Sequence, residues 1–537
     1  MANLKGGTTI DGALTVKKGT GTASQVPGAA GPAAVFESAA SGTSTNSKIG
    51  ICIVGSIDVS PSTQRFIMVY EDEGNSNRLT AVAGELLDMN ISFGTPVPFG
   101  GTQTTGGRAL DVRGGDSLGG TVRTFIVVYS DNSNSNYGTV IVGTVGTSYP
   151  VGGPGDPDNT ITFGSPQVFS NNLAITEAKM VHSTGGLIIA YEASGGRARI
   201  ATQSGTSFSF GTATSPISNA FTKMDAAYVA NPASEKSSVV VYSDTNNSNY
   251  LTAMVATVSG TTITFGSPTV FYAVNTGNKP YIFYDSDPYS TSGTVVAWKN
   301  SSGAGRARVA TITASNRTIS FGTEAGFTSN NIDADFDIAQ EYDFANAEAG
   351  AGPCFIHHDT TQGKIVATPA TISGTTISFG TPAVGPTVDA NKIVAIGDAY
   401  NEKIVCAYVD ASNSNYGTGM VWRPYTAGGI TVDLDTGSFF EVDFQGVSDI
   451  HSFTINNVDA TPGHVSSFVL KITQGDNNPR RTRWRWDPLS AVFMWPGGNP
   501  GTNSKLSTTN DYVDIFEFTT YDNGTTWHSK ILGQNVS

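Results

Sequence analysis

Thr222-Lys-Met-Asp-Ala-Ala-Tyr228, Val239-Val-Val-Tyr242, Leu251-Thr-Ala-Met-Val-Ala-Thr257 and Ile263-Thr-Phe-Gly-Ser-Pro-Thr-Val-Phe271 follow one another along the chain. Each is short and rich in β-branched, aromatic or small apolar residues, and Asn, Asp, Ser and Gly fill the gaps, so the stretch reads as four strands joined by turns. The second segment is apolar without interruption, which marks a strand covered on both faces, whereas the third alternates more loosely. The unit is a four-stranded antiparallel sheet. Alone it has two open edges and an uncovered face, so it needs neighbours.

The sequence supplies them as repeats. The tetrapeptide Ile-Ser/Thr-Phe-Gly recurs at Ile91–Gly94, Ile161–Gly164, Ile263–Gly266, Ile319–Gly322 and Ile377–Gly380, with a degenerate copy at Phe208–Gly211. An apolar run closed by an aromatic ends at Tyr70, Tyr129, Tyr191, Tyr242, Trp298, His357 and Tyr408, at steps of 59, 62, 51, 56, 59 and 51 residues. That period lies near the roughly 40–50 residues of propeller repeats. Seven blades stacked around an axis would cover one another's faces. The seventh unit, ending at Trp422, lacks its last segment, while Gly31-Pro-Ala-Ala-Val-Phe36 reads like Gly266-Ser-Pro-Thr-Val-Phe271 and has no unit of its own. The expected fold is all-β: an arm over 1–30, a seven-bladed β-propeller over 31–424 closed by the N-terminal strand, and a C-terminal β-sandwich of jelly-roll type over 425–537.

Composition agrees with that class. The chain has 537 residues, 62 of them Gly, and 14% are charged, against about 25% in an average soluble domain. Long helices need more Glu, Lys, Arg and Leu than this. The net charge of −14 argues against broad attraction to nucleic-acid phosphates or anionic membranes. No run of 18 apolar residues occurs, and Met1-Ala-Asn-Leu-Lys-Gly-Gly7 lacks the basic segment and apolar core of a signal peptide, so the expectation is cytoplasmic synthesis without membrane insertion. Cys52, Cys354 and Cys406 each sit in an apolar run and read as buried free thiols, with neither a disulfide framework nor a zinc site.

Beyond residue 425 a different β pattern begins, with segments at Ile430–Leu434, Phe439–Phe444, Ser452–Ile455, Ser467–Ile472, Ala491–Trp495 and Tyr512–Phe518. The motifs Phe493-Met-Trp-Pro-Gly-Gly498, Leu506-Ser-Thr-Thr509, Val513-Asp-Ile-Phe516, Asp522-Asn-Gly-Thr-Thr-Trp527 and Gly533-Gln-Asn-Val536 resemble the C-terminal domain of bacteriophage tail-fibre and virion structural proteins. Asn3-Leu-Lys-Gly-Gly-Thr-Thr-Ile10 is similar to the N-termini of phage fibre proteins. The resemblance covers roughly a quarter of the chain. It implies a virion protein whose arm docks on other virion proteins, which is commonly a homotrimer, and which contributes to attachment at the host surface.

Candidate chemistry is sparse. Thr520-Tyr-Asp-Asn-Gly-Thr-Thr-Trp527 matches the Asp-box hairpin of sialidases and other propellers, a fold element in which Asp bonds its own turn and Trp packs beneath. The loops Asp131-Asn-Ser-Asn-Ser-Asn136, Asp244-Thr-Asn-Asn-Ser-Asn249 and Asp410-Ala-Ser-Asn-Ser-Asn415 recur after the second strand, with a variant at Asp72–Asn77. Their alternating oxygens offer Ca²⁺ ligation, but no bidentate Glu closes them, which favours Asx turns. On a shared rim, Asn134, Asn136, Asn247, Asn249, Asn413 and Asn415 would form a polar face for a host surface glycan. Units three and five carry Arg197 and Arg199, and Arg306 and Arg308, on that rim instead. In Arg480-Arg-Thr-Arg-Trp-Arg-Trp486 a strand would put Arg483 and Arg485 on one face and the tryptophans on the other, as a solvated or subunit-facing row or as an anion contact. His357 occupies the aromatic position of its repeat and reads as packing. With no HExxH, GxSxG or P-loop in the sequence, no catalytic, metal or cofactor site is expected. The rival readings are a polysaccharide depolymerase or glycosidase using the propeller, and a capsid decoration protein without a ligand.

Overall fold

The computed structural model describes the chain apart from residues 1–33, 36–48, 54–62, 73–74, 88–89, 103–109, 116–121, 147–160, 184–185, 216–220, 231–235, 285–292, 341–351, 399–402, 414–415, 423–428, 436, 444–451, 460, 462–463, 474–491, 495–511, 523, 525 and 537. One compact unit is Pro27–Pro424, and a second contains Tyr425–Ser537. The arm expected over 1–30 lies outside the described residues.

The first unit is built from seven antiparallel sheets of four or five strands, in chain order. Their first strands are Ile49–Ile53, Leu110–Gly114, Glu177–Ser183, Phe221–Ala230, Tyr281–Tyr284, Ile332–Gln340 and Ala390–Asp398. Each first strand neighbours the first strand of the next sheet, and Ala390–Asp398 neighbours Ile49–Ile53, so the seven form a closed inner ring. The arrangement is propeller-like. Seven buried apolar clusters lie between consecutive sheets. The one that closes the circle joins Ile49, Phe66 and Tyr70 of the first sheet to Val405, Ala407 and Val421 of the seventh.

The uninterrupted apolar second strands follow from this stacking. In Lys236–Asp244, Val240 and Tyr242 face the third sheet, while Val239 and Val241 face the fifth. Both sides of the strand are core, and each fully buried side chain of this kind contributes about 1.5–3 kcal/mol. The closing aromatic always turns toward the preceding sheet, where Tyr129 meets Phe99, Tyr191 meets Phe169 and Trp298 meets Phe271. The glycine that ends the tetrapeptide has an equally local cause. A Cβ on Gly266 would lie 1.9 Å from the Arg317 carbonyl oxygen, and one on Gly322 would lie 1.9 Å from that of Thr375. Only glycine lets one sheet's fourth strand touch the next sheet's hairpin.

The N-terminal segment adds a strand to the seventh sheet. Ala34–Val35 pairs antiparallel with the third strand of the seventh sheet, Ala34 opposite Gly419 and Val35 opposite Thr418. This is the register of the short fifth strands elsewhere, where Val168 lies opposite Thr139 and Val270 opposite Thr252.

The second unit holds a five-stranded mixed sheet in the order Phe439–Asp443, Ser466–Thr473, Val513–Thr520, Thr526–Val536 and Val492–Met494, and a parallel pair, Gly429–Asp433 with Ser452–Asn456. Val432 from the pair shares a core with Phe468, Leu470, Phe516, Phe518 and Trp527. The six expected strands are present. The eleven-residue strand Thr526–Val536 is additional, because its polar, Gly-containing sequence hides the alternation.

Candidate functional site

The loop after each second strand is tied by a side chain at its start. Asp131 Oδ1 accepts from Ser133 N at 3.0 Å and Ser133 Oγ at 2.6 Å, Asp244 Oδ1 from Asn246 N at 3.0 Å, and Asp410 Oδ1 from Ser412 N at 3.0 Å. Asp72 does the same for Asn75 N at 3.1 Å. In the remaining sheets other acceptors tie the loop: Glu192 holds Gly195 N, Asn300 holds Ser302 and Ala304 N and Asp359 holds Thr361 and Gln362 N. Ser135 and Asn136, and Ser248 and Asn249, then turn through the left-handed region. The Asx-turn reading accounts for these loops. Among the described residues no group of three or more His, Cys, Asp or Glu is placed to hold a metal ion.

Asn134, Asn247 and Asn413 are exposed on the loops, and Asn136 and Asn249 are half-buried. Asn415, Arg483 and Arg485 lie outside the described residues. The rim arginines are engaged within the fold. Arg199 donates to the carbonyls of Gly211 at 2.6 Å and Phe169 at 2.8 Å and to Asn171 Oδ1 at 2.7 Å, which clamps the third sheet to the second. Arg197 donates to Ala193 O and Ser215 Oγ. Arg306 and Arg308 both face Glu324, at 3.7 and 3.5 Å. His357 is buried beside Phe327, 5.3 Å between ring centres, in the aromatic slot of its repeat.

The sequence reading missed the inner ring. At the position opposite the residue before each closing aromatic stand Gly50, Asp111, Lys179, Asp225, Tyr281, Asp337 and Val394, one per sheet. Four of them reach the next sheet's inner strand. Asp111 accepts from Met180 N at 2.8 Å, Asp225 from Ile282 N at 3.1 Å, Tyr281 Oη from Phe336 N at 3.2 Å and Asp337 from Ala395 N at 2.8 Å. Lys179 cannot accept, and instead bridges its neighbours, with Nζ 3.2 Å from Asp111 and 3.7 Å from Asp225. Arg113 lies 3.6 Å from Asp111.

The electrostatics divide these acids. Burial works against charge on Asp111, but Lys179 and Arg113 outweigh it and hold the carboxyl below the ordinary range. Asp337 has no such cation within bonding distance among the described residues, and burial pushes it up to about 6. The signal for this ring was present as charges at alternate positions in apolar strands, in Leu110-Asp-Val-Arg113, Lys223-Met-Asp225 and Asp333-Ala-Asp-Phe-Asp337.

No family model matches the chain, and no curated protein matches it. Among solved structures, the crystal structure of AofleA from Arthrobotrys oligospora is similar at 10% identity and a TM-score of 0.39, over 66% of this chain and 90% of that one. Trypanosoma rangeli sialidase, in complex with the inhibitor DANA, is similar at 10% identity and 0.39, over 70% of this chain and 55% of the sialidase, so this chain spans about half its length. The WD40 domain of SCAP from fission yeast is similar at 8% identity and 0.36, over 69% and 94%. These are likenesses of a propeller-like all-β fold.

Proposed function

We propose that this chain is a non-enzymatic virion structural protein of a bacteriophage. In this reading residues 31–424 are a seven-bladed β-propeller closed by the N-terminal strand, residues 425–537 are a β-sandwich that holds a homotrimer, and the arm docks on other virion proteins. The exposed loop asparagines would meet a host surface glycan. The phage assignment draws on the terminal motifs. The display role rests on one observation: the groups where chemistry would start are already engaged, the seven loop-capping side chains by their own turns and the four inner-ring acceptors by the next sheet. Antibody raised against the chain should decorate intact phage particles, and particles that carry none of it would remove the virion assignment.

A second reading is a glycosidase using the propeller, with Asp337, which burial pushes up to about 6, as the candidate acid once it gives up its bond from Ala395 N. Steady release of reducing ends from host envelope glycans would establish it and overturn the binding-only reading.

A further inference from the structure

Two residues before the ring position in sheets three to seven, a second tier carries Glu177, Lys223, Asp335 and Lys392 on the inner strands and Lys279 just ahead of Tyr281–Tyr284. This tier lies at the end of the channel that bears the capped loops, because Asn278 donates to the carbonyl of Lys299 at the end of its sheet's second strand. Two of the lysines sit on strained backbone. Lys223 and Lys392 have φ of 53° and 55°, at register shifts between Thr222 and Asp225 and between Asn391 and Val394. A left-handed non-glycine residue costs roughly 1–2 kcal/mol, and bulges of this kind re-aim a side chain. Lys223 then donates to Gly277 O, and Lys392 lies 2.7 Å from Asp335.

Lys279 is different. Its ammonium lies 4.5 Å from the centre of the Tyr281 ring, and no carboxylate among the described residues pairs with it. Burial and the nearby Lys179 push its pKa down against the weaker pull of Asp225, Glu177 and Asp335, as expected for an enclosed cation with no carboxylate within bonding distance. We propose that the loop-side mouth of the channel takes a small sugar bearing one carboxylate, with Lys279 as the group that pairs with that carboxylate. Asp225, Glu177 and Asp335 act on Lys279 only through longer-range attraction that burial and Lys179 outweigh, which leaves its ammonium open to one carboxylate, while their negative field disfavours a dianion such as phosphate. Glu177, on the same tier and in no ion pair among the described residues, is an acceptor for hydroxyl groups, and the charged hydrogen bond supplies the specificity. The inference rests on the glycan-contact part of the reading above, not on its virion part.

Calorimetric titration of the full chain with glucuronate, glucose and glucose 6-phosphate tests it. Glucuronate should bind with one site per chain, at least tenfold tighter than the other two. Lys279→Met should weaken glucuronate at least tenfold with the melting temperature kept. Should that variant fail to fold, the wild-type protein still decides, because its affinity for glucuronate should fall with rising pH before the ordinary lysine range is reached. Equal affinity for glucuronate and glucose, or an undiminished affinity in a folded Lys279→Met protein, overturns the inference. Either result, with host-glycan binding intact, leaves the attachment reading standing.

Discussion

Replacing His357 by Phe probes the inter-sheet packing at its one imidazole. The other six repeats place Tyr or Trp there. His357 is 1% exposed, and neither ring nitrogen has a hydrogen-bond partner among the described residues. An unpaired buried polar atom costs about 1–3 kcal/mol, so at pH 7.5 the Phe variant should be more stable by about that amount. Proton linkage gives a second, pH-dependent handle. Burial pushes the imidazole down to about 4, against about 6.5 in an unfolded chain. The unfolded chain takes up a proton that the folded one refuses, so stability falls as pH drops below 6.5 and levels off near 4. Across that interval of about 2.5 pH units the loss is about 3 kcal/mol. His358 works in the opposite sense. Burial opposes its charge, but Asp333 at 2.5 Å outweighs burial and raises its pKa, so its contribution is full in acid and is lost as pH rises through the raised value. That contribution is common to both proteins and cancels in the comparison. Urea unfolding of wild type and His357→Phe at pH 7.5 and 4.5 should show the gap widening by about 2–3 kcal/mol in acid. A gap that is the same at both pH values refutes the reasoning.

Asp111→Ala strands Met180 N and removes one of Lys179's two carboxylates, and breaking a buried pair in this way costs about 3–5 kcal/mol; a loss under about 1 kcal/mol by chemical unfolding would count against the ring as a clamp. Deleting residues 31–37 should lower the melting temperature and promote aggregation through the exposed edge of Tyr416–Trp422, whereas an unchanged melting curve would sink closure by this strand. Because the loop aspartates already bond their own turns, EDTA should leave the melting temperature where it was, and a drop reversed by Ca²⁺ would revive the ion-binding alternative. Phe439, Val465, Tyr521 and Leu532 are exposed on the second unit, and apolar area of this kind marks interfaces; light scattering should find the full chain trimeric and a chain ending at residue 424 monomeric, with a monomeric full chain removing the trimer.

Much of the architecture is written locally. A strand apolar on both faces, a glycine where two sheets touch and an aromatic at one fixed place recur in nearly every unit, so aligning the units by Tyr70, Tyr129 and Tyr191 already orders the seven sheets. Even the N-terminal segment's pairing announces itself, because Ala34–Val35 keeps the register of Val168 and Val270. The inner ring resists such reading for a physical reason. Asp111, Lys179, Asp225, Tyr281 and Asp337 are chemically unlike, and each acquires its meaning from a backbone N–H or a charge on the following sheet, some 50–70 residues away. The rim arginines fail in the reverse direction. Gly196-Arg-Ala-Arg199 looks like a displayed cationic pair, but Arg199 turns inward onto carbonyls that only folding brings within reach.

The clasp of Ala34–Val35 on Thr418–Gly419 also fixes a load path. Chain entering at Ala34 and chain leaving after Trp422 both belong to the same sheet. A pull between the two ends therefore bears first on two residue pairs, while the other six sheets carry no load. The ring would act as a mechanical fuse: the clasp parts at low force while the seven seams between the sheets stay shut. A protein tethered at one end and gripping at the other would gain compliance at a single, re-formable point.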